Sequence, residues 1–261
     1  IVGEEWSYNP IRIAYWQDGT NNKDGYKSNL KSTMDFAMQK AIFEGISENE
    51  NWNTGLIKIY ESLSNDFYYE DPESLLVFND NHDMSRIYTQ MKEDISKTKM
   101  AVGLMLILPR IPQILYGTEI LMQDTAKPGD HGLIRSDFPG GWDNDETNAF
   151  TGKNLKKDQL EMQNYLKTVL NFRKKSKAIH SGKTLHYAPI NGIYVISRKN
   201  NDETVLCIIN KNNFDKELNL DRFHELKINN TILTEIYTGE KFIWKDKITL
   251  KKNSSIILTN K

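Results

Sequence analysis

Two carboxylates stand where chemistry is easily built. Glu4 follows the apolar run Ile1-Val2-Gly3, and Asp83 closes the polar cluster Asn79-Asp80-Asn81-His82-Asp83. Two carboxyl groups flanking one bond are the machinery of glycoside hydrolysis. One stays protonated to donate to the leaving oxygen, which requires burial or nearby negative charge to raise its pKa. An acidic residue at a strand end also serves as a loop cap or stays solvated, and Glu5 competes with Glu4 for the role. His82 is either a donor to a sugar or a structural histidine. Trp6 offers a flat ring that can cover the apolar face of a pyranose, and core packing is the other common use of such a ring.

Positioning these groups requires strands that end at one place. Ile1–Gly3, Ser32–Phe36, Leu75–Phe78 and Gln113–Tyr116 read as short buried strands. Helical patterns lie between them, at Ala37 to Ser47, Leu56–Ser64 and Asp94–Leu108, the last stopped by Pro109. A Gly/Asp/Pro-rich segment, Asp124–Gly152, precedes an amphipathic helix at Lys157–Lys175. Strand–helix alternation predicts a parallel sheet with crossover helices. In an α/β barrel the catalytic groups gather at the C-terminal ends of the strands. A full barrel needs eight units and about four are readable, so residues 1–180 are expected to form half a barrel.

From about Ser181 the period changes to two. Thr184–Pro189, Gly192–Arg198, Thr204–Asn210, Lys216–Leu220, Ile232–Tyr237 and Ser254–Thr259 read as strands separated by turns such as Asn191-Gly192. Residues 181–261 are expected to be a small antiparallel β-sandwich. The expected class is thus α/β plus all-β.

Composition excludes several functions. The 34 basic and 35 acidic residues leave a net charge of −1 with no basic stripe, which argues against a nucleic-acid partner. The single cysteine, Cys207, rules out an intrachain disulfide. No Cys/His cluster has zinc spacing, no Gly-rich phosphate loop is present, and the longest apolar run is too short for a membrane span.

The motifs carry a family resemblance. Phe78-Asn79-Asp80-Asn81-His82-Asp83 resembles a signature of the α-amylase superfamily, glycoside hydrolase family 13. Ile1-Val2-Gly3-Glu4-Glu5-Trp6 resembles its general-acid strand, and Arg110 to Glu119 resembles its last barrel strand. Their order is that of the fifth, seventh and eighth strands, and Met34-Asp35-Phe36 would fit the sixth. Ile134 to Trp142 is similar to a segment of neopullulanase and cyclomaltodextrinase relatives. The resemblance implies Glu4 as general acid/base, Asp83 as the carboxylate gripping sugar hydroxyls, and His82, Trp6 and Arg135 as substrate-binding groups. It often places Asp four residues before that Arg. Here the position is His131, and Asp130 is the adjacent candidate. Arg86 is a candidate for positioning the loop or a carboxylate. Trp142 could stack on sugar or close the barrel, and Glu119 belongs to a mainly structural motif.

The resemblance also implies a nucleophilic Asp within Gly-x-Arg-x-Asp, a pattern absent from these residues. The isolated chain is therefore expected to be inactive, as part of a longer enzyme acting on starch-derived oligosaccharides, pullulan or cyclodextrins. A glucan transferase of the same family and a non-catalytic glucan-binding protein are the alternatives. No cofactor is implied. Calcium is common in the family, but no ligand set is identifiable here. The open sheet face is expected to be covered by the remaining barrel half or a second copy. No signal region is visible, and the compartment, bacterial periplasm or cytoplasm, stays unassigned.

Overall fold

A computed structural model describes all of residues 1–261. β1 (Val2–Gly3) leads to α1 (Pro10–Tyr15), and β2 (Ser32–Thr33) leads to α2 (Phe36–Ser47) and α3 (Ile57–Ser64). β3 (Leu76–Val77) leads to α4 (Ile87–Gln90) and α5 (Ile95–Ile107). β4 (Ile111–Pro112) leads to α6 (His131–Ile134), α7 (Lys157–Lys175) and α8 (Lys177–Ser181). β1 pairs with β2 and β3 with β4, both in parallel, and a parallel bridge from Met34 to Leu76 joins the two pairs. Spatial order therefore equals chain order, as in consecutive units of a (β/α)8 barrel. The expected half-barrel is present.

The last strand begins two residues earlier than its pattern suggested. The amides of Ile111 and Gln113 donate to the carbonyls of Leu75 and Val77 at 2.9 and 2.8 Å. Pro112 has no N–H, and it occupies the position between these donors, where an N–H would face the open edge of β4. Proline is tolerated in a strand for that reason. The inner strands are covered, with Thr33 and Val77 at 0% exposure, whereas Val2 and Ile111 on the outer strands are 45% and 48% exposed.

Helix ends are fixed by side chains. Asp35 accepts from the amide of Met38 at 3.0 Å to start α2. Asp94 accepts from the amides of Ser96 and Lys97 at 2.8 and 3.1 Å to start α5. α5 is buried on nearly every side from Met100 onward. Gly103 lets it approach α7, because a Cβ there would lie 2.3 Å from the Tyr165 hydroxyl. The buried Arg110, just before β4, pairs with Asp35, just after β2, at 3.0 Å and also binds Asp66.

The remaining chain is antiparallel. It comprises β5 (Lys183–Ile190), β6 (Ile193–Lys199), β7 (Thr204–Asn210), β8 (Lys216–Asn219), β9 (Thr231–Glu235), β10 (Lys241–Trp244), β11 (Lys247–Leu250) and β12 (Ser254–Thr259). Six strands form one sheet in the order β10-β9-β12-β7-β6-β5, and β11 and β8 form a separate pair. β5 and β6 meet at Asn191-Gly192, both with positive φ, the signature of a tight primed hairpin turn. Alternate residues of β6 and β7 enter different cores. Val195, Leu206 and Ile208 join Phe223 and Trp244, while Tyr194, Ile196, Cys207 and Ile209 join α2, α3, α5 and α7. Burial pushes the Cys207 thiol up to about 12. No helix is long and apolar enough to cross a membrane.

Candidate active site

β1 and β3 run parallel, so Glu4 and Asp83 leave the sheet at the same end. Strands two positions apart are separated by about 10 Å, and long side chains can converge across that gap. Gly3 permits a close approach at this point, since a Cβ would lie 2.5 Å from the Leu30 side chain. Glu4 is exposed, whereas Glu5 is committed to Arg12 at 2.9 Å. That separates the two candidates by their surroundings. Trp6 stacks on Phe36 with centroids 4.8 Å apart, and Phe36 meets Phe78 edge-on at 4.9 Å. This aromatic chain links the ends of three successive strands and leaves Trp6 44% exposed at the mouth.

The β3 loop is organised by its own polar residues. Asn81 accepts from the amide of Asp83 at 2.9 Å, turning the chain so that His82 and Asp83 face outward. His82 Nε2 lies 3.3 Å from Asp83 Oδ2. Arg135 binds Asp83 Oδ1 through Nη2, and its Nε donates to the His82 carbonyl at 2.9 Å. The structure thus brings Asp83, His82 and Arg135 into one cluster from two distant segments.

His131 joins them, with Nδ1 3.2 Å from Arg135 Nη2. Arginine offers only donors, so in this contact His131 Nδ1 is the accepting atom. Asp130 is occupied differently. Its Oδ1 accepts from the amides of Gly132 and Leu133 at 3.0 and 3.2 Å, and its Oδ2 pairs with Lys127 at 2.8 Å. It caps α6, and His131 is the group beside Arg135.

Arg86 holds the cluster from below. It is 1% exposed. Its Nε and Nη2 donate to the Ile134 carbonyl at 3.0 and 2.6 Å, and Nη1 donates to the Tyr116 carbonyl. The guanidinium also lies 4.8 Å from the centre of the Tyr116 ring. Gly117, at φ +87°, makes the turn after Tyr116, and a Cβ there would meet Met122 Sδ at 2.2 Å. Asp124 accepts from Ser85 Oγ at 2.9 Å and from the amides of Arg86 and Gly129 at 3.1 and 2.8 Å. Burial pushes its pKa up, but these donors outweigh it and hold the carboxyl low. Asp80 is the reverse case. Burial drives it up to about 6, against the Ile87 amide at 2.6 Å and the Arg86 charge. Asp124 and His131 were not singled out by sequence as site groups; the position of His131 four residues before Arg135 was the available signal. No group of three or more His, Cys, Asp or Glu side chains is arranged to hold a metal.

Four parallel βα units with polar clusters at the ends of β1 and β3, followed by an antiparallel domain, make up half of a (β/α)8 barrel with a C-terminal β domain. Residues 1–182 match the family described as "Alpha amylase, catalytic domain", and residues 184–259 match "Cyclo-malto-dextrinase C-terminal domain". The chain belongs to the α-amylase family, glycoside hydrolase family 13. It is 27% identical over 212 residues to a cyclomaltodextrin glucanotransferase of Thermoanaerobacterium thermosulfurigenes, covering 79% of this chain and 27% of that protein. It is 25% identical over 277 residues to alpha-amylase 3 of Dictyoglomus thermophilum, covering 99% and 50%. The chain thus spans between about a quarter and a half of these relatives. The α-amylase of Geobacillus thermoleovorans, solved with acarbose, superposes with a TM-score of 0.76 at 21% identity, over 99% of this chain and 52% of that one. The cyclic α-maltosyl-(1→6)-maltose hydrolase of Arthrobacter globiformis gives 0.68 at 16%, over 99% and 49%.

Proposed function

We propose that this chain carries the acid/base half of a retaining α-glucan hydrolase site. The observation that carries it is the placement of Glu4 and the Asp83–His82–Arg135 cluster at the same end of one parallel sheet. Glu4 protonates the glycosidic oxygen as the bond to the anomeric carbon breaks, then takes a proton from the incoming water. Its exposure in this chain leaves the required desolvation to the bound sugar and to the rest of the barrel. Asp83 accepts hydrogen bonds from sugar hydroxyls and favours the oxocarbenium-like transition state. Arg135 holds one oxygen of Asp83 and so fixes the direction of the other. Trp6 supplies a stacking face.

The covalent step needs a carboxylate nucleophile, and Gly-x-Arg-x-Asp does not occur in these residues. The chain alone therefore binds α-glucans weakly and does not hydrolyse them. The missing group, and cover for the open edges of β1 and β4, come from further barrel strands. The test is an assay of the purified chain on maltooligosaccharides and pullulan, with intact mass confirming the sequence. Hydrolysis that disappears in Glu4→Gln would show that a nucleophile is already present and refute the division of the site. Transfer to a sugar acceptor is the second reading, supported by similarity to a glucanotransferase. It differs only in which acceptor reaches the intermediate.

A further inference from the structure

α6 is a single turn, opened by the Asp130 cap and closed at Arg135. His131 and Arg135 stand four residues apart, so their side chains rise from the same face of that turn. Both are exposed, and Arg135 reaches Asp83 and the His82 carbonyl. Arg135 Nη2 has two hydrogens, enough for both of its contacts. It binds Asp83 Oδ1 and lies 3.2 Å from His131 Nδ1. One nitrogen thus joins the carboxylate that grips sugar to an imidazole that the catalytic reading leaves unused.

The contact with His131 belongs to one charge state of the ring. Nδ1 accepts while the imidazole is neutral. A protonated imidazole has a donor at each nitrogen, so it offers Arg135 nothing and sets a second positive charge beside Nη2. The contact then opens. The neighbouring charges do not cancel this effect. Lys127, at 2.8 Å from Asp130 Oδ2, and the amides of Leu133 and Gly132, on Oδ1, hold the Asp130 carboxyl low. Asp130 therefore stays ionised, with its charge met by Lys127. Asp83 is shared between Arg135 and His82, whose Nε2 lies 3.3 Å from Oδ2. A proton on His82 tightens its hold on Asp83, whereas a proton on His131 loosens that of Arg135. The two imidazoles act in opposite directions on one carboxylate.

We propose that His131 is a positioning residue: neutral, it holds the Arg135 guanidinium on Asp83, and protonated, it releases Arg135, so that the grip on an α-glucan chain weakens in acid. The proposal rests on the α-glucan reading above. An imidazole changes charge between about pH 5 and 8, which sets the range to examine. His131→Asn keeps an acceptor, because its Oδ1 sits on Cγ where Nδ1 does, and it does not titrate. His131→Leu removes the acceptor at every pH.

The test is titration of the full ¹⁵N-labelled chain with maltotriose at about pH 7.5 and about pH 5.5, followed by NMR at the His82 and Asp83 amides and at the Arg135 Nε–H. At the higher pH, wild type and His131→Asn should bind within about 1.5-fold of each other, and His131→Leu about two- to fivefold more weakly, the size expected of an exposed pair. At the lower pH, wild type should fall to the level of His131→Leu, while His131→Asn stays ahead by that same factor. Comparison at equal pH removes the contribution of His82, which all three share. A wild-type-to-Asn ratio that does not change with pH overturns the proposal, as does full affinity in His131→Leu at the higher pH. If maltotriose moves no resonance at either pH, the α-glucan reading fails, and the Arg135 Nε–H of the free chain decides the role of His131. A pH-dependent shift in wild type that is absent from His131→Asn supports it, and the same shift in both refutes it.

Discussion

Replacing Arg86 by methionine keeps most of the side-chain volume and removes the guanidinium. Three hydrogen bonds are lost, two to the Ile134 carbonyl and one to the Tyr116 carbonyl. Arg86 is 1% exposed, so water does not readily replace it at the Ile134 oxygen, while the Tyr116 oxygen is only partly buried and sets the lower end of the cost. A buried acceptor left unmet costs about 1–3 kcal/mol, so two cost about 2–6 kcal/mol. Burying a guanidinium is itself unfavourable, and its removal offsets part of that loss. Asp80 pulls the other way, since it loses the positive charge that steadies its ionised form. The expected net loss is about 3–4 kcal/mol. At about 2–4 °C per kcal/mol for a chain of this size, Tm should fall by about 6–16 °C. Arg86→Lys should recover less than half, because an ammonium cannot serve two carbonyls with a fork's geometry. Urea unfolding followed by circular dichroism measures both variants. A loss below about 1 kcal/mol with an unchanged m-value would mean that Ile134 and Tyr116 have other donors, and the account of Arg86 as the clamp beneath Arg135 would be wrong.

Three further outcomes follow from the same contacts. Arg135→Met should change stability by less than about 1 kcal/mol, because the Asp83 pair is partly solvated; calorimetry should nevertheless show weaker maltotriose binding, and unchanged affinity would remove Arg135 from the site. Asp80 has a folded pKa raised from 3.8 to about 6, so the folded state keeps a proton that the unfolded chain releases. Its contribution is fully present below about pH 4 and is lost as pH rises through about 6, by about 3 kcal/mol. Asp124, held low, acts with the opposite sign at the acid end. Asp80→Asn should therefore flatten the decline in urea midpoint from pH 4 to 6.5, and an unaltered slope would place that decline elsewhere. Gly103→Ala puts a methyl against the Tyr165 hydroxyl and should cost about 1–3 kcal/mol. Tyr165→Phe should restore part of that loss in the double variant, and strict additivity in thermal melts would contradict the contact.

The legible parts of the fold were those whose pattern is local. α7 and the strands β7 and β12 have the bounds that periodicity predicts, because each has a full run of residues facing a core. α1 was missed: six residues give too little periodicity, although Asn9 caps it and Pro10 starts it. β10 and β11 were missed because each spans four residues, with Ile243 exposed on one and only Lys245-Asp246 between them. In the site, motif order placed Glu4, His82 and Asp83 at one end of the sheet. The ion pair from Arg135 to Asp83 spans 52 positions and leaves no local pattern. The Asp130 cap was equally hidden, since a capping carboxylate and a sugar-binding carboxylate look alike until the amides of Gly132 and Leu133 are seen to point at it.

The sheet of the antiparallel domain has one face in a core of its own and the other in the core of the barrel helices. Tyr194, Ile196, Cys207 and Ile209 therefore pack with Met38, Leu104 and Val169 in one continuous cluster of 30 buried residues. Neither part can open without exposing the other, so the two should melt as a single cooperative unit. The C-terminal strands thus brace the barrel helices from outside.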